Sequence, residues 1–229
     1  MTRITAAAVV FAAFGVAPLA QQAPSPPAVD LQGKLYRSVF SGAALTAADV
    51  NMVPEPLRAR LSKYVSRRTA FKSGYKSDSE TFERVRTDAK KRMLERSIVA
   101  MVDAPQIEAT AAQYIAKAPV FYEWEGMHNG PLDEARYAED ALKLDPASPM
   151  APWFYVFIAQ RQRVVFEAYE SEKNVEGMKA AARKYRAFVE RARAVDDPIY
   201  GALIDDMERQ PFLYIRNAKS NPRDFDPDA

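Results

Sequence analysis

Glu125-Gly126-Met127-His128 sets a carboxylate and the single histidine of the chain three residues apart. Glu-x-x-His on a helix is half of a carboxylate-bridged di-metal centre in a helical bundle. Such centres use two copies, and one histidine supplies one, so no metal is expected here. Glu123 and Glu125 are candidates for a general acid and base. Paired-carboxylate chemistry needs two carboxyl groups roughly 5–9 Å apart across a substrate. Positions two apart on a helix diverge by about 200°, so the second carboxylate would come from Asp133, Glu134 or Glu170. The chain has no cysteine, which excludes disulfides, thiolate ligands and thiol catalysis. It also has no glycine-rich phosphate loop and no nucleophile elbow. An enzyme reading therefore reduces to a hydrolase using Glu residues and His128 as acid and base groups. No cofactor is expected.

The aromatic residues offer different chemistry. Tyr122 and Trp124 precede His128, and Trp153 and Tyr155 open a later apolar run. Together they suggest a ligand groove, although aromatic stripes at helical spacing also build cores. Arg161 lies on the same stripe as Phe154, Phe157 and Ile158, and a guanidinium there needs an acceptor. The predicted partner is Glu125 or Glu123, because their aromatic segment carries the nearest carboxylates. The candidate binding residues are thus Tyr122, Glu123, Trp124, Glu125, His128, Trp153, Tyr155 and Arg161.

Helices must position all of these. Val120 to Met127 reads as a short aromatic helix with Phe121, Trp124 and Met127 or His128 on one face. His128-Asn129-Gly130-Pro131 reads as a turn, with Gly130 at positive φ and Pro131 starting the next helix. That helix shows Leu132, Ala135, Ala138 or Glu139, and Leu142 inward and ends at Asp145-Pro146. Upstream, weak periodicity covers 31–40, and Thr46-Ala47-Ala48-Asp49 imitates a capping box. Pro56 starts a helix to Phe71 with Leu57, Leu61 and Tyr64 inward. Ser77-Asp78-Ser79-Glu80 is a full capping box for a helix to about Val102, its inner face read as Phe82, Val85 or Ala89, Met93 and Ile98 or Val99. Pro105 opens a helix with Ile107, Ala111, Tyr114 and Ile115 inward.

Downstream, Ser148-Pro149 starts a helix to about Glu172. Its first half, Trp153 to Ile158, is apolar all round and should be the most buried segment. Val175 to Val195 is amphipathic, with Met178, Ala181 or Ala182, Tyr185, Phe188 or Val189, Ala192 and Val195 inward. Ile199 to Arg209 is the last helix, and Pro211 to Ile215 is an apolar segment that caps the core. Nothing reads as a strand ladder. The fold class is all-α: about eight helices in antiparallel hairpins.

The run Gly130…Glu134-Ala135…Ala141-Leu142-Lys143-Leu144-Asp145-Pro146 resembles the second helix of a tetratricopeptide repeat, over about 17 residues. Ala182…Tyr185…Phe188…Ala192 through Pro198 is a looser echo. Ala135 to Ala141 is one residue short of the repeat, the two Pro residues lie 52 apart, and the first-helix Trp…Leu-Gly…Tyr pattern is missing. The resemblance implies a superhelix of helix pairs that binds a partner. Its contact residues have no counterparts in this sequence.

The net charge of +2 gives no global field for nucleic acid. The distribution is uneven. Residues 58–96 carry 13 basic and 5 acidic side chains, net +8, and 97–146 carry 3 basic and 9 acidic, net −6. The basic stretch is either one solvated helix pair or a docking surface for an anionic partner. Residues 1–20 resemble a secretory signal: Arg3, then an uncharged apolar run from Ile4 to Val16, then small residues. A membrane is involved only if that segment stays uncleaved. Residues 21–30 are a Pro-rich linker, 31–218 a single helical domain, and 219–229 a tail expected to fray. The function expected is binding: an exported periplasmic or secreted protein that engages a protein segment, an envelope component or a small ligand in a groove.

Overall fold

A computed structural model describes residues 33–70 and 82–228. Among them are nine α-helices and no strand: α1 (Lys34–Ser41), α2 (Ala47–Asn51), α3 (Leu57–Ala70), α4 (Phe82–Met101), α5 (Ile107–Lys117), α6 (Asn129–Leu144), α7 (Ala151–Ser171), α8 (Val175–Arg193) and α9 (Pro198–Arg209). The signal-like segment, the linker, Phe71 and the Ser77–Glu80 capping box lie outside the described residues.

Local chemistry explains several helix starts. Thr46 accepts from the Asp49 N–H while Asp49 accepts from the Thr46 N–H, so the imitation capping box is a working one. Asn174 caps α8 by accepting from the Gly177 N–H at 2.9 Å, and Asp197 caps α9 through the Ile199 N–H. Pro152 and Pro198 sit in first turns, where a missing N–H removes no helical bond.

The core runs along α7. It packs on α6, α8 and α9. Trp153, Phe154, Val156, Phe157 and Ile158 are buried as predicted. α8 buries Met178, Tyr185, Phe188, Val189 and Ala192, and α5 buries Ile107, Ala111 and Ile115. α9 packs against α1 and α3 as well as α7 and α8, so the last helix touches the first elements of the domain. Consecutive helices are not the whole of the packing.

Three readings of local structure are corrected. No helix spans 120–127. Glu125 (φ 50) and Gly126 (φ 78) both take left-handed backbone, which a right-handed helix cannot contain. The positive-φ glycine is therefore Gly126, and Gly130 lies inside α6, whose first bond runs from the Leu132 N–H to the His128 carbonyl at 3.0 Å. In α4, Val85 and Ala89 face water, while Leu94, Ser97, Ile98 and Val99 are buried. A long helix crossing α1, α3 and α5 at different points does not keep one continuous inner stripe.

The irregular segments have no ladder of their own to satisfy their backbone, so buried side chains do it. Burial on α7 continues past its apolar half through Gln160, Arg161, Gln162, Arg163 and Glu167. Glu167 accepts the N–H groups of Leu213, Tyr214 and Ile215 at 2.8–2.9 Å. Arg163 donates to the Met207 and Gln210 carbonyls, closing the C-terminus of α9. Asp206 accepts from the Gly33 and Tyr36 N–H groups. The tail expected to fray lies against α7 and α8. Glu170 accepts the Lys219 N–H at 2.8 Å, Phe225 meets Phe166 edge-on, and Arg183 reaches Asp228 at 2.8 Å.

Candidate functional site

Glu134, in the second turn of α6, organises the site. It is 2 % exposed. Its Oε2 accepts from Arg161 Nε at 2.7 Å. Its Oε1 accepts from Trp124 Nε1 at 3.0 Å, the Phe121 N–H at 3.1 Å and Lys90 Nζ at 3.3 Å. One carboxylate thus ties α4, α6 and α7 to the irregular segment 120–128. Gly130 permits this closeness: a Cβ there would stand 2.5 Å from Trp124 Cδ1. Burial alone would raise the Glu134 carboxyl, but Arg161 and Lys90 outweigh it and hold the group below its ordinary value.

Arg161 therefore does have a buried carboxylate partner, but it is Glu134, neither Glu125 nor Glu123. Only an aromatic helix stacked on α7 would bring Glu123 or Glu125 to the guanidinium. With that helix unwound, Glu125 sits on a left-handed turn facing water. The guanidinium of Arg161 also donates to Gln160 Oε1 and lies 4.2 Å from the Phe157 ring centre and 4.9 Å from that of Trp124. Lys90 Nζ stands 4.0 Å over the same indole and donates to the Phe121 carbonyl at 2.8 Å. The indole is sandwiched among two cations and Tyr214, whose ring meets it edge-on at 5.4 Å.

Beside this cluster opens a cleft of about 300 Å³. Its walls are Tyr36 and Phe40 of α1, Lys90 of α4, Tyr122, Glu123 and Trp124 of the irregular segment, Gln160 and Arg161 of α7, and Leu213 and Tyr214 of the C-terminal strap. Tyr36 Oη accepts from Gln160 Nε2 at 3.2 Å, and burial raises its phenol above the usual value. Burial also pushes Lys90 down to about 8, against the upward pull of Glu134. Lys90 and Arg161 share Glu134 on the floor of the cleft, and Glu123 in its wall brings the four groups to charge balance at neutral pH.

Four of the eight predicted site residues, Tyr122, Glu123, Trp124 and Arg161, meet in this cleft. The other four do not. Trp153 is core, stacked on Phe157 at 4.6 Å. Tyr155 faces α8, 6.4 Å from the Phe188 ring. Glu125 is exposed. His128 Nδ1 contacts Glu172 Oε1 at 2.7 Å and its ring lies on Tyr169, and it does not line the cleft. Sequence reasoning missed Tyr36, Phe40, Lys90 and Tyr214 as wall residues. Tyr36 and Phe40 carried a signal as large aromatics on a weakly periodic helix, and Tyr214 lay in the apolar 211–215 segment expected to cap the core; Lys90 carried none. Among the described residues no group of three His, Asp or Glu side chains is placed to hold a metal ion, and no helix is long and apolar enough to cross a membrane.

No protein-family model matches this chain, and neither a curated protein nor a solved structure resembles it significantly.

Proposed function

We propose that this is an exported binding protein whose cleft between α1, α4, α7 and the strap takes a small organic anion with a flat apolar body. The observation that carries the reading is the lining of that cleft. Five aromatic side chains line it around two cations that share a single carboxylate. Its volume, about 300 Å³, falls at the low end of small-molecule sites. Aromatic walls favour a planar group, and Lys90 and Arg161 offer a carboxylate charge-assisted hydrogen bonds. Export is supported by the signal-like first twenty residues. The kinship with tetratricopeptide repeats is likewise a proposal, supported by the succession of α6, α7 and α8 through short connections. The hydrolase alternative receives little support, because His128 faces Glu172, away from the cleft.

Calorimetric titration of the full chain tests the ligand reading. Benzoate and 4-hydroxyphenylacetate are expected to bind and to quench Trp124 fluorescence, while uncharged benzamide does not. Lys90→Met should weaken the carboxylates about ten-fold, the loss of one charge-assisted contact. Equal binding of the amide and the acid, or no binding of either, would refute the reading. Fractionation that finds the full-length chain soluble in the cytoplasm would separately refute export.

A further inference from the structure

Several basic residues of the net +8 stretch from 58 to 96 have acidic partners among the described residues. Arg60 pairs with Asp197 at 2.8 Å. Lys63 pairs with Asp103, and Arg67 lies 3.7 Å from the same carboxylate. Arg68 and Arg96 instead line a second cavity, of about 230 Å³, between the end of α1, the last turns of α3 and the middle of α4. Among the described residues nothing acidic lines it. Ser38, Tyr64 and Thr69 contribute to its wall, with their hydroxyls spent internally: Ser38 and Tyr64 on each other and on Arg68, Thr69 on the Val65 carbonyl.

The two guanidinium groups are held in place by neutral acceptors. Arg68 Nη1 donates to the Ser38 carbonyl, to Ser38 Oγ at 3.2 Å and to Tyr64 Oη. All three contacts use one nitrogen, and Nη2 lies beside Gly42 at the lip. Arg96 Nη2 donates to the Arg68 carbonyl at 3.1 Å. Its Nε is buried with no hydrogen-bond partner, and an unpaired buried donor on a charged group is costly. The arrangement is two cations fixed at one cavity by neutral acceptors, while Arg96 Nε is itself sealed from it.

We propose that this cavity is an anion site that takes a phosphoryl group, as inorganic phosphate or as the phosphate ester of a small alcohol. A guanidinium matches a phosphate in a two-point contact that lysine cannot reproduce. Two guanidinium groups balance the charge of a phosphate near neutrality, whereas a carboxylate would leave one uncompensated. The site lies across α4 from the aromatic cleft and uses none of its wall residues, so it stands independently of the ligand reading above.

Scanning calorimetry of the full chain tests the proposal, comparing phosphate, glycerol phosphate and chloride at equal ionic strength. Phosphate or its ester should raise the melting temperature progressively while chloride does not, because a ligand of the native state stabilises it by mass action. A response to both phosphates assigns the site to the phosphoryl group alone, and a response to the ester alone adds the alcohol to what is recognised. Arg96→Gln should raise the half-maximal concentration about ten-fold or more. Ala44→Asp, a change at an exposed wall position, should do the same by placing a carboxylate in the cavity, without disturbing either arginine. Lys184→Gln on α8 should respond like the unaltered chain. The proposal is overturned if chloride acts as strongly as phosphate, or if Ala44→Asp keeps the full phosphate response.

Discussion

Replacing Glu134 with alanine should destabilise the domain more than any other single carboxylate change near the cleft. The substitution leaves Arg161, with a side chain 3 % exposed, as a buried cation without its counter-charge, which costs about 3–5 kcal/mol. Trp124 Nε1 and the Phe121 N–H lose their acceptor too. Each would add about 1–3 kcal/mol if sealed from water. The segment 121–124 borders an open cleft, however, so water recovers much of that, and the total should stay near about 5 kcal/mol. Urea unfolding gives the number from the midpoint at constant m. Arg161→Ala alone should cost a similar amount. The double mutant should fall short of the sum by about 2–3 kcal/mol, as contacting partners do. Glu125→Ala, at an exposed turn, should stay within about 0.5 kcal/mol. The sign with pH is fixed by the lowered Glu134 carboxyl. Its contribution is full above the ordinary value of 4.5 and is lost as pH falls from there through the folded value, so Glu134→Ala should flatten that limb of the acid profile. A Glu134→Ala loss under about 1 kcal/mol, or strict additivity with Arg161→Ala, would refute the view that this pair holds the site together.

Glu167→Ala removes the acceptor of three consecutive strap N–H groups and leaves Arg163 without the carboxylate 3.6 Å away. It should cost at least about 3 kcal/mol and speed amide exchange at 213–215; unchanged protection there would contradict the role given to Glu167. Gly130→Ala should destabilise α6 and shift Trp124 emission, since the new Cβ would overlap the indole. A gain of up to about 1 kcal/mol, as helix propensity alone predicts, would mean that Trp124 is not seated there. Lys90, with its ammonium pushed down to about 8, binds fewer protons when folded than when unfolded between about 8 and the ordinary 10.5. Stability should therefore rise with pH across that window while carboxylate affinity falls, and both trends should vanish in Lys90→Met when followed by thermal melts and titration calorimetry.

The helices themselves were legible in the sequence. Capping residues, first-turn prolines and a 3.6-residue apolar period are properties of adjacent residues, and they located α3, α5, α7, α8 and α9 to within a few positions. The oddity of Arg161 was legible as well, because a charge on an apolar stripe is visible from spacing alone. Its partner was not. Glu134 sits 27 residues away on what reads as the polar side of an ordinary amphipathic helix, and the shape of segment 120–128 decides which carboxylate arrives. That shape rests on two left-handed residues and on N–H groups satisfied by a side chain from another helix. The same holds for Lys90 and Tyr214, which reach the cleft through the docking of α4 and the strap. Local propensity sets where a helix begins and ends, but the burial of a charge is affordable only where distant groups converge to solvate it, and that convergence belongs to the tertiary structure.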